Sequence, residues 1–133
     1  MLGEQLGEET GKVIVRRILP SDGGPKIEVS VQSTGKLLAI ETRSMVTYTA
    51  SMRPDGSVYG EGQGIFMGKN GEAASFRGAG AGKLGSGGAV SYRGAIYIDS
   101  QSEKWQRLNS VALVFEYEAD ADGNTRNKLF EWR

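Results

Sequence analysis

The sequence of 133 residues contains no cysteine and no histidine. Without cysteine there is no disulfide, no thiolate nucleophile and no thiolate metal ligand. Without histidine there is no Ser-His-Asp or Cys-His arrangement and no ordinary zinc, copper or iron site. We therefore expect no metal site and no cofactor, and no motif identifies a catalytic residue.

The sequence also lacks an excess of charge of either sign, because 16 Lys and Arg residues balance 16 Asp and Glu residues. A balanced chain has no field that attracts phosphate backbones or anionic membrane surfaces, so we expect neither a nucleic acid nor a membrane as partner. The longest apolar run, Val111 to Phe115, is too short to span a bilayer. Residues 1–9 lack the basic and apolar regions of a secretory signal, and we expect a cytoplasmic protein.

Proline is scarce, with 3 residues, whereas glycine, with 20, is about twice as frequent as usual. Asp55-Gly56, Asn70-Gly71 and Asp122-Gly123 are dipeptides that accept the positive φ of hairpin turns. The segments between such turn signals predict strands near residues 13–18, 27–34, 37–52, 57–67, 73–83, 89–98, 110–118 and 125–132. Residues 1–10 are expected to form a flexible tail, and residues 11–133 a single domain.

Short connections between sequential strands favour antiparallel neighbours, and closure would remove exposed sheet edges. We therefore predict an all-β fold, an eight-stranded antiparallel up-and-down barrel, with a sandwich as the alternative. The spacing of Ser100 and Glu103 is typical of a helix start, and Trp105 and Leu108 then fall on one face. This pattern predicts one short helix near residues 101–108.

One face of the central strands is rich in glycine and aromatic residues, and the opposite face carries the charged side chains. Because charged side chains are rarely buried unless paired, the glycine-rich face should line the barrel interior. Two interpretations of these glycines remain open: they accept large rings from across the barrel, or they leave a cavity for a small molecule. The candidate ligand-binding residues are Tyr48, Phe66, Phe76, Tyr92 and Phe115.

These observations support three hypotheses of function. The first is non-enzymatic binding of a small apolar molecule in the barrel lumen, oriented by the hydroxyls of Tyr48 and Tyr92. The second, which requires the opposite face to line the lumen, is an isomerase or cyclase that uses Glu61 with Arg77 or Arg93. The third is a structural module that forms a homo-oligomer through the barrel wall.

The segment Gly60-Glu61-Gly62-Gln63-Gly64-Ile65-Phe66 is followed by a turn, a Phe-bearing strand and a further glycine-rich strand. In style, residues 57–132 resemble small bacterial β-barrel proteins of unknown function related to the allene oxide cyclase and calycin-like barrels. The resemblance implies an eight-stranded antiparallel barrel, frequently oligomeric and sometimes with an apolar lumen. No position matches a defined cyclase or lipocalin site motif, so no functional residue is carried over.

Overall fold

The computed structural model describes residues 2–133 and shows a closed barrel in which each strand pairs antiparallel with its neighbours in the chain. The last strand pairs with the first, which closes the barrel. The predicted up-and-down barrel is thus confirmed, and the alternative sandwich is not formed. The strands are β1 (Leu2–Leu19), β2 (Lys26–Leu37), β3 (Ile40–Met52), β4 (Ser57–Gly68), β5 (Ala73–Leu84), β6 (Val90–Asp99), β7 (Ala112–Ala119) and β8 (Asn124–Trp132).

Strand β1 is longer than the sequence predicted, and residues 2–10 are part of it. Residues 7–19 pair with β2 and residues 2–12 pair with β8, with register shifts in both ladders. Strands in a closed barrel are staggered, so the strand that joins the two ends of the sheet must offer each neighbour a different stretch. Over residues 2–10 the structure therefore differs from the expected tail, and Leu6 and Glu9 from this stretch are buried. Residue 1 of that tail lies outside the described residues.

A 3₁₀ helix, Glu103–Ser110, lies between β6 and β7 and closes one end of the barrel. We call it the closing helix. Its side chains Trp105 and Leu108 are completely buried, and the Trp105 indole Nε1 donates a hydrogen bond to the Leu37 carbonyl at 3.3 Å. The predicted short helix near residues 101–108 is thereby confirmed, although it begins at Glu103.

The turn between β2 and β3 is the second difference from the sequence prediction, which extended one strand over residues 37–52. Leu38 and Ala39 have φ values of 48° and 64°, and this pair of positive values is typical of a type I′ hairpin turn. The turn lacks the usual Asn or Gly, so no residue signal marked it. Within residues 2–133, no helix combines the length and the apolar character needed to cross a membrane.

Candidate functional site

The barrel interior contains a cavity of about 100 Å³. All five residues that the sequence analysis proposed as ligand-binding line this cavity: Tyr48, Phe66, Phe76, Tyr92 and Phe115. Further apolar contacts come from Val31, Val46 and Ile96. The glycine-rich face of the central strands is therefore the inner face.

The glycines of this face make room for rings from other strands. A Cβ atom added to Gly60 would lie 3.1 Å from Tyr92 Cε1, and one added to Gly80 would lie 2.8 Å from Phe115 Cζ. The two interpretations of the glycines are therefore both partly correct. Rings fold over the glycine positions, and the space that the rings leave unfilled is the cavity.

Replacing Gly80 by alanine is expected to lower the free energy of unfolding by about 1–3 kcal/mol, because the added methyl group overlaps the Phe115 ring and the Arg93 carbonyl. Chemical denaturation measures the change. Gly23→Ala is the matched control, since no atom lies within 4 Å of its added Cβ, and its effect should stay within about ±0.5 kcal/mol. Equal effects of the two substitutions would contradict the close packing at Gly80.

One side of the cavity is polar because four inward-facing side chains lie next to one another on adjacent strands. Glu9 of β1 is the register partner of Asn127 of β8, and Asn127 is the partner of Tyr117 of β7. Tyr117 is in turn the partner of Tyr92 of β6. Directly opposed residues place their side chains on the same face of a sheet, and all four line the cavity. We call Glu9, Asn127, Tyr117 and Tyr92 the polar row.

Glu9 is the buried acid of the polar row, with only 5% of its surface exposed. Its side chain extends past β2, where Gly35 is its register partner, and reaches two hydroxyls on β3. Ser44 Oγ donates to Glu9 Oε1 at 2.7 Å, and Thr42 Oγ1 donates to Glu9 Oε2 at 2.9 Å. Burial raises the pKa of the Glu9 carboxyl, and the two hydroxyl hydrogen bonds only partly oppose that effect.

Three tyrosine rings gather toward the end of the barrel opposite the closing helix. The Tyr48 ring centroid lies 5.7 Å from that of Tyr92 and 5.8 Å from that of Tyr117, both in edge-to-face geometry. The Tyr48 and Tyr117 hydroxyl oxygens lie 3.3 Å apart and share a hydrogen bond. Burial raises the pKa of Tyr117 to about 12 and raises the pKa of Tyr48 further, so both hydroxyls stay protonated near neutral pH.

Asn127, between Glu9 and Tyr117, contributes a polar atom without a partner. Its side-chain oxygen Oδ1 is buried and accepts no hydrogen bond within the described chain, residues 2–133. An unpaired buried polar atom costs about 1–3 kcal/mol, so a bound molecule with a suitable donor would be favoured there. Within residues 2–133, no group of three or more Asp or Glu side chains is placed to hold a metal ion.

The charged residues of the predicted isomerase or cyclase site lie on the outer wall. Glu61, Arg77 and Arg93 are all exposed. Glu61 accepts a hydrogen bond from the Tyr59 hydroxyl at 3.4 Å, and Arg93 pairs with Glu118 at 3.6 Å. The hypothesis that Glu61 acts with Arg77 or Arg93 in the lumen is therefore wrong, because the strand alternation turns these side chains to solvent.

The polar groups of the cavity other than Tyr48 and Tyr92 were missed from the sequence. Glu9 lay in the presumed tail, and Tyr117 and Asn127 lay on strands whose inner face had no clear glycine pattern. The stagger of a closed barrel is the signal that could have found Glu9. A first strand that starts at residue 13 is too short to pair with both β2 and β8.

The fold and the interior cavity define a small closed antiparallel β-barrel protein. No family model matches the chain, and no curated protein matches it in sequence. Solved structures do match its fold. A protein of unknown function from Clostridium acetobutylicum has a TM-score of 0.84 at 13% identity, with 98% of each chain covered.

Two further structures extend this comparison. A β-barrel-like protein from Acinetobacter baumannii has a TM-score of 0.81 at 11% identity, covering 99% of this chain and 96% of that one. An enzyme from Penicillium herquei has a TM-score of 0.65 at 15% identity, covering 96% and 92%. At these identities the likeness shows the fold alone, and it agrees with the resemblance to small barrel proteins of unknown function.

Proposed function

We propose that the protein binds a small, mostly apolar molecule in the barrel lumen. The observation that carries the proposal is the interior cavity, whose walls are aromatic and aliphatic and whose one polar side is the polar row. Small-molecule sites typically combine such apolar walls with a few placed polar groups that orient the ligand. Phe66, Phe76 and Phe115 would contact the apolar body, and the tyrosine hydroxyls and Asn127 would contact its polar end.

The cavity volume sets the size of the ligand. An empty apolar cavity of about 150 Å³ in another protein holds benzene. The cavity of about 100 Å³ is smaller, so small rotations of the lining rings would accompany a ligand of about six non-hydrogen atoms. Cyclopentanone has that size, an apolar ring and one polar atom, and it serves as the probe.

Titration of ¹⁵N-labelled protein with cyclopentanone tests the proposal. We expect amide shifts centred on Gly60, Gly78 and Gly80, with a dissociation constant of about 1 mM or tighter, which corresponds to about −4 kcal/mol. Val46→Phe places an extra ring in the cavity and is expected to weaken binding at least about tenfold. Val15→Phe, at an exposed position on the outer wall, is the matched control and should leave binding unchanged.

Two results would contradict the proposal. One is the absence of amide chemical-shift changes at these glycines up to the solubility limit of cyclopentanone. The other is equal binding by the folded Val46→Phe and Val15→Phe variants, which would place the probe outside the lumen.

Other expectations from the sequence stay predictions. They are the relationship to the allene oxide cyclase and calycin-like barrels, the cytoplasmic location, and the homo-oligomer. The outer wall carries exposed apolar side chains that would suit a subunit contact, among them Met45, Ile65, Met67 and Tyr97. Sedimentation at high micromolar concentration tests the oligomer directly, and a monomer would exclude it.

A further inference from the structure

We propose that the lumen is also a catalytic site, in which Glu9 moves a proton between two carbon atoms of a small enolisable ketone and thereby isomerises it. The inference rests on the proposed binding function, because the ketone must first occupy the cavity. It replaces the outer-wall residues of the earlier enzyme hypothesis with a carboxyl group that is inside the barrel.

The first argument is the state of Glu9 itself. A carboxylate has about four lone-pair sites, and the Ser44 and Thr42 hydroxyls occupy one on each oxygen. The remaining sites are free to accept a proton from a bound molecule, and Glu9 lines the cavity. Within residues 2–133, no ion pair involves Glu9, so no cation competes for its oxygens. Its raised pKa brings the carboxyl closer to neutral pH, where a general base is most effective.

The second argument is the pair of hydroxyls of Tyr48 and Tyr117, which line the same cavity as Glu9. In the Tyr48–Tyr117 hydrogen bond one hydroxyl donates and the other accepts. The accepting hydroxyl keeps its own proton, which has no other acceptor within residues 2–133. One O–H donor is thus left for a ligand oxygen, and a protonated tyrosine in a buried site stabilises negative charge that develops on a carbonyl oxygen.

The third argument is the spacing of the acid and the hydroxyl pair. Glu9 and Tyr117 lie on β1 and β7, with only Asn127 of β8 between them in the register. Neighbouring strands are about 4.8 Å apart, so the two backbones are separated by about 10 Å. The Asn127 side chain stands between them in the polar row, and the Glu9 carboxyl reaches Thr42 and Ser44 of β3. A ring of five or six atoms would therefore lie on the lumen side of the row, with its carbonyl toward the tyrosines and its acidic carbon toward Glu9.

The reaction balances without a co-reactant. The Glu9 carboxylate takes a proton from the carbon between a carbonyl and a carbon–carbon double bond, and the C–H electron pair becomes part of a dienolate. The tyrosine hydroxyl donates a hydrogen bond to the dienolate oxygen. Glu9 then returns the proton to the far carbon of the former double bond, which leaves a conjugated ketone and the carboxylate as at the start.

The experiment uses cyclopent-3-en-1-one, which isomerises by these steps to cyclopent-2-en-1-one. Proton NMR follows the conversion, because the two equivalent olefinic protons of the substrate become two distinct ones in the product. We expect the wild-type protein to accelerate conversion over buffer, and Glu9→Gln to lower the protein-dependent rate at least about 100-fold. Glu8→Gln, an exposed neighbour on the same strand, is the matched control and should retain the wild-type rate.

The outcomes separate the two proposals, because cyclopentanone lacks the double bond and reports binding alone. Binding of cyclopentanone without acceleration by the wild-type protein overturns the catalytic proposal and leaves the binding function standing. If cyclopentanone does not bind and the wild-type protein does not accelerate the conversion, both the binding proposal and the catalytic proposal are overturned. A Glu9→Gln protein that stays as active as wild type also overturns the role of Glu9. If Glu9→Gln does not fold, Glu9→Asp replaces it, with an expected loss of about tenfold or more.

Discussion

Trp105→Ala is expected to lower the free energy of unfolding by about 3–5 kcal/mol, the range for truncating a large buried aromatic side chain. The indole of Trp105 is completely buried beneath the barrel, and its ring centroid lies 6.5 Å from that of Phe66. Its loss also leaves the Leu37 carbonyl without its side-chain donor. Because the closing helix covers one end of the lumen, the same change would let water into the core.

Trp132→Ala provides the matched control, since the same side chain there is 56% exposed and lies at the end of β8. Its effect should stay within about ±0.5 kcal/mol. Denaturant unfolding followed by circular dichroism measures both variants without relying on tryptophan fluorescence. Comparable losses in the two variants would contradict the assignment of Trp105 as the residue that seals the barrel.

Glu9→Gln is expected to change how stability depends on pH. The folded-state pKa of Glu9 is raised above its unfolded value of 4.5, mainly by burial. The stability associated with the protonated acid is therefore fully present below the unfolded pKa and is lost as pH rises through the folded pKa. Glutamine keeps a neutral group at every pH. The free energy of unfolding of the variant should thus rise relative to that of the wild type as the pH is raised from 4 to 8.

Parallel urea titrations of wild type, Glu9→Gln and Glu8→Gln across this pH range measure that gain. Glu8 is exposed, so removing its charge should leave the pH dependence of stability almost unchanged. A Glu9→Gln stability curve parallel to the wild-type curve would mean that the acid ionises as easily in the barrel as in the unfolded chain.

Much of the fold was predictable because its signals are local. Asp-Gly and Asn-Gly turns separate most strands, and the alternation of charged and apolar residues assigned the inner face correctly from residue 57 to residue 98. The Leu38–Ala39 turn was missed because these two residues rarely adopt positive φ, and only pairing of the flanking strands holds them there.

The candidate site was predictable only in its apolar part. The inward position of the aromatic residues of the central strands is predicted by the alternation of apolar and polar residues along each strand. Glu9 carries no such signal, because a glutamate among glycines and other glutamates has the composition of a solvated segment. Its burial follows from barrel closure, which brings together residues that are far apart in the chain, and no local pattern encodes that event.

The pairing of Glu9 with Asn127 couples the site to the completion of folding. These partners come from opposite ends of the chain, so their contact carries a large loop-closure cost and depends on β8 being in place. During synthesis the contact of Glu9 with Asn127 can form only after the last strand has left the ribosome, whereas the partners Thr42 and Ser44 on β3 are made much earlier. A partly folded or C-terminally shortened chain would therefore keep the three phenylalanines of the cavity and most of its hairpins and still lack the assembled polar row.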